Sequence, residues 1–183
     1  RPQSSRWYPG AGLYRNVRLV TTERVHVPVW GTQLTTPHVS AEYASVRLRT
    51  TIRNAGDADV RISTDIIAPD GKIVARKDNS RKINHGQPFE QNFLINAPSL
   101  WSPETPYLYK AVSKIYVDGK QTDEYTTRFG IRSIEIIADK GFFLNGKHRK
   151  FQGVCNHHDL GPLGAAVNVA ALRRQSVSYT HLT

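Results

Sequence analysis

The chain has 183 residues, of which 39% are apolar and 22% charged, so a packed core is feasible and intrinsic disorder is not expected. The single cysteine, Cys155, excludes a disulfide-stapled scaffold, and no apolar run approaches the roughly 20 residues that span a bilayer. The net charge of +10 admits nucleic acid as a partner, but the basic residues are scattered and their tightest cluster, residues 76–82, lies in a turn-rich stretch.

The first predicted strand, residues 16–20, stands apart from the others. It follows an aromatic, glycine-rich stretch, and a single strand cannot bury its own face. We therefore assign residues 1–20 to the end of a preceding domain. Because residue 1 is Arg and the chain contains no Met, a signal peptide is neither visible nor excluded, and the compartment stays open.

Residues 42–54 and 60–66 are predicted as the two strands of a hairpin. Both runs alternate between apolar and polar residues, which is typical of strands with one buried face. Asn54-Ala55-Gly56-Asp57 between them supplies turn chemistry. The positions predicted to face inward are Val46, Leu48, Thr50, Ile52, Val60, Ile62, Thr64 and Ile66.

The next predicted strands are residues 72–77, 89–95, 107–117 and 121–129. The last two flank Asp118-Gly119, a dipeptide typical of the type I′ turn of a hairpin. Phe89, Gln91, Phe93 and Ile95 are predicted to face inward. About seven short strands separated by turns indicate an immunoglobulin-like β-sandwich over residues 21–137.

The pattern changes after residue 141, where a strand, an Asn145-Gly146 hairpin turn and a return strand are predicted. Residues 151–154 are predicted as a short strand, and Asn168 as the cap of a helix over residues 169–175. A strand, a loop and a helix in this order are typical of an α/β unit. Ser, Thr and β-branched residues then interrupt the helix pattern, so we interpret residues 176–183 as a non-native tail.

Four motifs resemble glycoside hydrolase family 2, in the family's own order. Residues 6–17 (RWYPGAGLYRNV) look like the end of its sugar-binding jelly-roll domain. Residues 98–109 (PSLWSPETPYLY) and 129–132 (FGIR) resemble two stretches of its immunoglobulin-like domain. The start of its TIM barrel is similar to residues 143–147 (FLNGK), 153–154 (GV) and 156–158 (NHH). The pattern is closest to bacterial β-galactosidases; β-glucuronidases and β-mannosidases share the architecture.

The resemblance implies a mainly β chain, an immunoglobulin-like β-sandwich flanked by a partial jelly-roll strand and the first β/α unit of a truncated TIM barrel. Residues 1–20, 21–137 and 138–175 would be these three parts. It also implies a retaining glycosidase, most similar to a β-galactosidase, in which one glutamate protonates the leaving group and another attacks the anomeric carbon. Both glutamates belong to barrel strands beyond residue 175. We therefore expect no catalytic residue in this chain and no activity of the chain alone.

The resemblance further implies a carbohydrate partner, a β-galactoside or related β-glycoside, and allows a homo-oligomer of the whole protein. We expect no cofactor or metal in this chain and neither nucleic acid nor a membrane as a partner. A noncatalytic glycan-binding or adhesive sandwich is the alternative. It explains the β pattern but not the motifs that follow residue 132.

The loop at residues 155–159 holds the candidate site. It follows the predicted first barrel strand, and the loops after barrel strands form the active sites of TIM-barrel enzymes. The resemblance places an active-site histidine at His157, bonded to a sugar hydroxyl, and the predicted substrate-binding residues are Asn156, His157, His158 and Asp159. A metal site, surface histidines and a nucleophilic role of Cys155 remain alternatives for this loop.

Overall fold

A computed structural model describes Leu13 and residues 16–53, 58–82, 87–151, 153, 166 and 168–181. The chain divides into two compact units, of which the larger is Thr21–Lys150; Arg1–Val20 and Phe151–Thr183 make up the other. The larger unit contains the predicted sandwich span and also the hairpin that follows it. No helix in the described part of the chain is both long and apolar enough to cross a membrane.

Seven strands of the larger unit form two antiparallel sheets that share a core, so the predicted mainly β sandwich is confirmed. One sheet has the order β1-β2-β5 and the other β4-β3-β6-β7. The strands are β1 (Thr32–Val39), β2 (Tyr43–Thr50), β3 (Asp59–Ile67), β4 (Ile73–Lys82), β5 (Phe89–Asn96), β6 (Tyr109–Val117) and β7 (Lys120–Phe129).

The predicted hairpin of residues 42–54 and 60–66 is wrong. β2 pairs with β1 and β5, whereas β3 lies in the other sheet and pairs with β4 and β6. Alternation identifies the buried face of a strand, but it does not identify the strand's neighbour. Ile52, just past β2, and Ile62 of β3 are buried in the same hydrophobic cluster. The two predicted strands therefore face each other across the core.

The predicted inward positions are confirmed on β2, β3 and β5. Every second residue of these strands is buried, and Thr50, Thr64 and Gln91 are buried among the apolar ones. The predicted β6–β7 turn is also confirmed, since Asp118 (φ 49°) and Gly119 (φ 79°) both adopt the positive φ of a type I′ turn.

The core consists of two hydrophobic clusters with a polar layer between them. Ile66, Phe93 and Ala111 belong to one cluster, and the residues four positions away on the same strands, such as Ile62 and Phe89, belong to the other. The positions between them on β3, β5 and β6 are Thr64, Gln91 and Ser113, none more than 1% exposed. The Thr64 hydroxyl is hydrogen-bonded to both Gln91 and Ser113, as buried polar groups require.

A third, small sheet has the order β10-β9-β8 and completes the larger unit. Its strands are β8 (Ile134–Ile137), β9 (Gly141–Leu144) and β10 (Lys147–Arg149). The predicted Asn-Gly hairpin is confirmed, because Asn145 (φ 51°) and Gly146 (φ 72°) occupy the turn between β9 and β10.

Two predictions near the ends of the described chain are wrong. Residues 16–20 form no strand and are exposed; no described strand pairs with them, and an unpaired strand does not satisfy its backbone. The helix α1 (Val169–His181) continues six residues past its predicted end at residue 175. Ser, Val, Tyr and Thr cost only about 0.5 kcal/mol each relative to Ala, and no Gly or Pro stops the helix.

The start of α1 is as predicted. Asn168 caps it, its Oδ1 accepting from the backbone N–H of Ala171 at 3.1 Å. Phe151 and Gly153 are not in a strand, and Gln152 and Val154 lie outside the described residues, so the strand predicted over residues 151–154 stays a prediction.

Candidate functional site

The predicted binding loop lies outside the described residues. This applies to Asn156, His157, His158 and Asp159, and also to Cys155. Their roles therefore stay predictions. Within the part of the chain that the structure describes, no three His, Cys, Asp or Glu side chains are grouped so that they could hold a metal ion.

The structure brings three of the four sequence motifs together where the third sheet attaches to the sandwich. The residues involved are Trp101 and Glu104 before β6, Arg132 after β7, Asn145 in the β9–β10 turn and Arg149 in β10. We call these five residues the anchor cluster. Bonded pairs within the cluster are separated by up to 45 positions in the chain, so local sequence patterns do not bring them together.

Asn145 makes the central contacts of the anchor cluster. Its side-chain Oδ1 accepts from the backbone N–H of Ser133 at 3.0 Å, and its Nδ2 donates to the carbonyl oxygen of Trp101 at 3.0 Å. Its backbone N–H donates to the carbonyl oxygen of Ser133, also at 3.0 Å. One half-buried side chain in a left-handed turn therefore ties the third sheet to the loop before β6.

Trp101 joins the two motifs of the sandwich. Its backbone N–H donates to the carbonyl oxygen of Ile131 at 2.8 Å, and the guanidinium of Arg132 lies 4.7 Å from the centre of its indole ring. Gly130 lies directly against the indole, since a Cβ added there would approach the Trp101 Cβ and Cγ to 2.8 Å. The FGIR motif thus requires glycine at its second position for close packing on Trp101.

Glu104 and Arg149 form a bidentate ion pair between the loop before β6 and β10. The two guanidinium nitrogens of Arg149 donate to the two carboxylate oxygens of Glu104 at 2.6 and 2.8 Å. This arrangement fixes the relative orientation of both groups. The Arg149 hydrogen bonds, assisted by the Glu104 backbone and Ser102, lower the pKa of Glu104 from 4.5 to about 2. A carboxyl group that is ionised at neutral pH has no proton to donate, so Glu104 is unsuited to be a general acid.

We expect Glu104 to titrate near pH 2 in the intact chain. Because the folded-state pKa lies below the ordinary value, the stabilisation is present above pH 4.5 and is lost as the pH falls towards 2. Carbon-13 NMR of the glutamate carboxyl carbons measures this directly. The Arg149→Gln substitution should return the pKa towards 4.5, whereas the control Arg47→Gln, which removes a partner of Glu90, should leave Glu104 unchanged. A Glu104 carboxyl that titrates near 4.5 in the unmodified chain contradicts the ion pair.

The basic cluster at residues 76–82 lies on β4, an edge strand of its sheet, and not in the turn-rich stretch expected from the sequence. Arg76 forms a bidentate pair with Asp65, and Arg81 lies over the ring of Phe89 and donates to the carbonyl oxygen of Gln87. These arginines already have protein partners. Charged side chains on an exposed edge strand also discourage pairing with another chain, which accounts for the cluster without a nucleic acid.

A shallow groove of about 490 Å³ opens between the β3–β4 turn and the start of β6. Tyr107 lines it beside the side chains of Asp70, Asn96 and Ser99. The hydroxyl of buried Tyr109, also in the wall, accepts from the backbone N–H of Ser99 at 2.8 Å. An aromatic ring beside polar groups is an arrangement suited to contact with a sugar.

The sequence of the sandwich establishes the family to which the chain belongs. The sequence profile of the glycosyl hydrolases family 2 matches residues 27–132, which are more than half of the chain. The chain belongs to this family. The matched span contains β1 to β7 and the Trp101, Glu104 and Arg132 part of the anchor cluster.

Relatives and solved structures of this family cover nearly all of the chain. The β-galactosidase BoGH2A of Bacteroides ovatus is 43% identical over 93% of this chain, and a β-glucuronidase of Bacteroides fragilis is 30% identical over 93%. A family 2 member from Bacteroides cellulosilyticus superposes with a TM-score of 0.79 at 36% identity over 93% of this chain. β-Glucuronidase 2 of Bacteroides uniformis superposes with a TM-score of 0.80 at 28% identity over 96%.

The chain spans only a small part of these proteins. It covers 21% and 27% of the length of the two relatives and 22% of each of the two solved chains. The chain therefore corresponds to a segment of each of these longer proteins.

Proposed function

We propose that this chain is part of a retaining β-glycosidase, a β-galactosidase, and that its described residues support the catalytic domain without taking part in catalysis. Residues 1–20 would end the sugar-binding jelly-roll domain, and residues 138–175 would begin the TIM barrel. The family match over the sandwich, continued by the anchored hairpin of β9 and β10, supports the proposal most directly. The relative with 43% identity is a β-galactosidase, whereas a putative β-glucuronidase of Formosa agariphila and the β-glucuronidase of Bacteroides fragilis have 36% and 30%.

The state of the described acids fits a supporting role. A retaining glycosidase needs two carboxyl groups about 5–5.5 Å apart, one of which carries a proton at working pH. The acids with ion-pair partners are Asp65 with Arg76, Asp70 with Lys72, Asp78 with Arg61, Glu90 with Arg47 and Arg49, and Glu104 with Arg149. The partners of Asp65, Asp70 and Glu104 lower the pKa values of these three carboxyl groups and so favour their ionised form. The catalytic glutamates would then lie beyond residue 175.

The anchor cluster would give the sandwich its mechanical role. The chain leaves β10 at Arg149, where the bidentate pair with Glu104 fixes the strand to the loop before β6. The first barrel strand would follow within a few residues. An anchor at this point limits the freedom of the barrel's first strand and loop, including His157, which would hydrogen-bond a sugar hydroxyl at the mouth of the barrel.

The test compares three proteins: this chain, the whole protein, and the whole protein with His157→Ala. We expect the chain to release no nitrophenol from any nitrophenyl glycoside. The whole protein should hydrolyse the β-galactoside in preference to the β-glucuronide and β-mannoside. Loss of one hydrogen bond to a sugar hydroxyl in the transition state should lower kcat/KM by about 10- to 100-fold.

A matched histidine in the sandwich controls for general effects of the substitution. His38→Ala, on β1 beside Tyr43, should leave the activity of the whole protein unchanged. Hydrolysis by the chain alone would refute the supporting role, and a fully active His157→Ala protein would remove the assignment of that residue. Preference for the β-glucuronide would identify the whole protein as a β-glucuronidase instead.

The alternative is a noncatalytic glycan-binding module, which the Tyr107 groove favours. It predicts that the chain alone is retarded in affinity gels containing galactose polymers and that Tyr107→Ala abolishes the retardation. Under this alternative the whole protein has no hydrolase activity.

A further inference from the structure

Trp30 is an exposed aromatic residue in a backbone conformation that large side chains avoid. It is 91% exposed and its neighbour Val29 is 74% exposed. The φ of Trp30 is +58°, in the left-handed region. Among the described residues, three of the other four non-glycine residues with positive φ are Asp or Asn, which tolerate it.

The turn that carries Trp30 is held rigidly. The N–H of Gly31 donates to the carbonyl oxygen of Pro28 at 2.8 Å, which leaves Val29 and Trp30 at the two central positions. The N–H of Thr51 donates to the carbonyl oxygen of Gly31 at 2.7 Å, tying the turn to the chain just after β2. A Cβ at Gly31 would lie 2.8 Å from Pro28, so the turn is tightly closed. The backbone that carries the indole is therefore fixed.

This position destabilises the chain as it stands. Positive φ at the second central position of a turn is typical of type II turns, where glycine is preferred. Tryptophan adds backbone strain there, and its exposed ring gains almost no burial in return. Such an outlier points to a contact that is made elsewhere.

We propose that Val29 and Trp30 form a docking tip, and that its occupant is an apolar surface of the longer protein outside this chain. The proposal rests on the proposed function only because it requires the longer protein. Judged by the lengths of the two relatives, 73% to 79% of that protein lies outside this chain. Two adjacent exposed apolar side chains fit a dry protein surface, and a buried tryptophan is a frequent anchor of such contacts. The N–H and C=O of Gly31, next to the ring in sequence, are paired within the protein, so neither is available to a sugar hydroxyl.

Hydroxyl-radical footprinting compares Trp30 in the two proteins. In this chain Trp30 should oxidise rapidly, with half-buried Trp101 as the internal reference. In the whole protein Trp30 should be protected. Equal oxidation of Trp30 in both proteins overturns the docking tip, whatever the enzyme activity of the whole protein, which is measured separately and tests only the proposed function.

The Trp30→Gly substitution should change stability in opposite directions in the two proteins. In this chain it relieves left-handed strain and loses little packing, so the melting temperature should rise by about 2–4 °C. In the whole protein the melting temperature should fall, because the substitution removes the buried indole that anchors the contact. Asp118→Gly is the control: it has the same kind of backbone, with φ 49°, and an exposed polar side chain, so it should act in the same direction in both proteins.

The remaining outcomes also decide the proposal. If Trp30→Gly raises the melting temperature of both proteins and abolishes the binding of galacto-oligosaccharides, the tip is a glycan site and the docking proposal is wrong. If Trp30→Gly lowers the melting temperature of this chain, the indole packs within the chain and the docking proposal is wrong. If the Trp30→Gly whole protein does not accumulate, Trp30→Phe, which keeps part of the buried area, should show a smaller decrease, and no decrease overturns the proposal.

Discussion

Replacing Gln91 with alanine should lower the free energy of unfolding by about 4 kcal/mol, a large share of the ~5–15 kcal/mol that a domain has. Gln91 is fully buried on β5 and connects the two sheets. Its Oε1 accepts from the Thr64 hydroxyl at 2.7 Å, and its Nε2 donates at 3.1 Å to the carbonyl oxygen of Lys77 and to Oδ1 of Asn79. Alanine removes these three hydrogen bonds and opens a cavity between the hydrophobic clusters.

The hydrogen-bond network around Gln91 also determines which group is the donor in each bond. The Thr64 hydroxyl has one proton, which goes to Gln91, so Ser113 donates to Thr64 across their 2.9 Å contact. The loss of Gln91 therefore affects both Thr64 and Ser113. Urea unfolding followed by circular dichroism measures the change, with Asn92→Ala as the control. Asn92 is the next residue on β5, on its exposed face, and its removal should cost less than about 0.5 kcal/mol.

Gln91→Glu separates hydrogen bonding from packing. The carboxylate has nearly the same volume but cannot donate, and burial raises its pKa because the charged form is desolvated. The variant should therefore be unstable at pH 7 and should recover part of its stability as the pH falls and the carboxyl is protonated. Equal stability of the Gln91→Ala and Asn92→Ala variants would show that the polar layer contributes nothing.

The alternation of residues along the strands predicts the buried face but not the pairing of strands. The alternation of Val46, Leu48 and Ile52 is visible without a structure because period two is a local property. That β2 and β3 lie in different sheets depends on contacts across the core, which have no local pattern. The same limit applies to Gln91: its inward position follows from alternation, whereas its three hydrogen-bonding partners lie on other strands.

At the site, sequence motifs predicted a turn and a family but not the contacts that join them. Asn145-Gly146 predicts a type I′ turn, because both residues tolerate positive φ. Nothing in that dipeptide indicates that the Asn145 side chain reaches Trp101, which is 44 positions earlier. A signal was nevertheless present: Glu104 and Arg149 have opposite charges and both lie within or beside family motifs. The binding loop with His157 stays a prediction that only the whole protein can test.

Replacing Asn145 with alanine should detach the third sheet from the sandwich, at a cost of about 3 kcal/mol. Two side-chain hydrogen bonds disappear, and each leaves a half-buried backbone group, the N–H of Ser133 and the C=O of Trp101, without its partner. Alanine also tolerates φ 51° less well than asparagine. Hydrogen exchange should show the amides of β8 to β10 losing protection, while those of β2, β3 and β6 keep theirs.

Asp139→Ala isolates the backbone part of this effect, because Asp139 is an exposed turn residue with φ 62° in the same small sheet. It should cost about 1 kcal/mol and leave the exchange of β9 and β10 nearly unchanged. If the two variants exchange alike, the side chain of Asn145 does not anchor the sheet. If they differ as expected, the Asn145→Ala whole protein should also lose activity at temperatures below its global unfolding, because the strand that leads into the proposed catalytic domain would no longer be fixed to the sandwich.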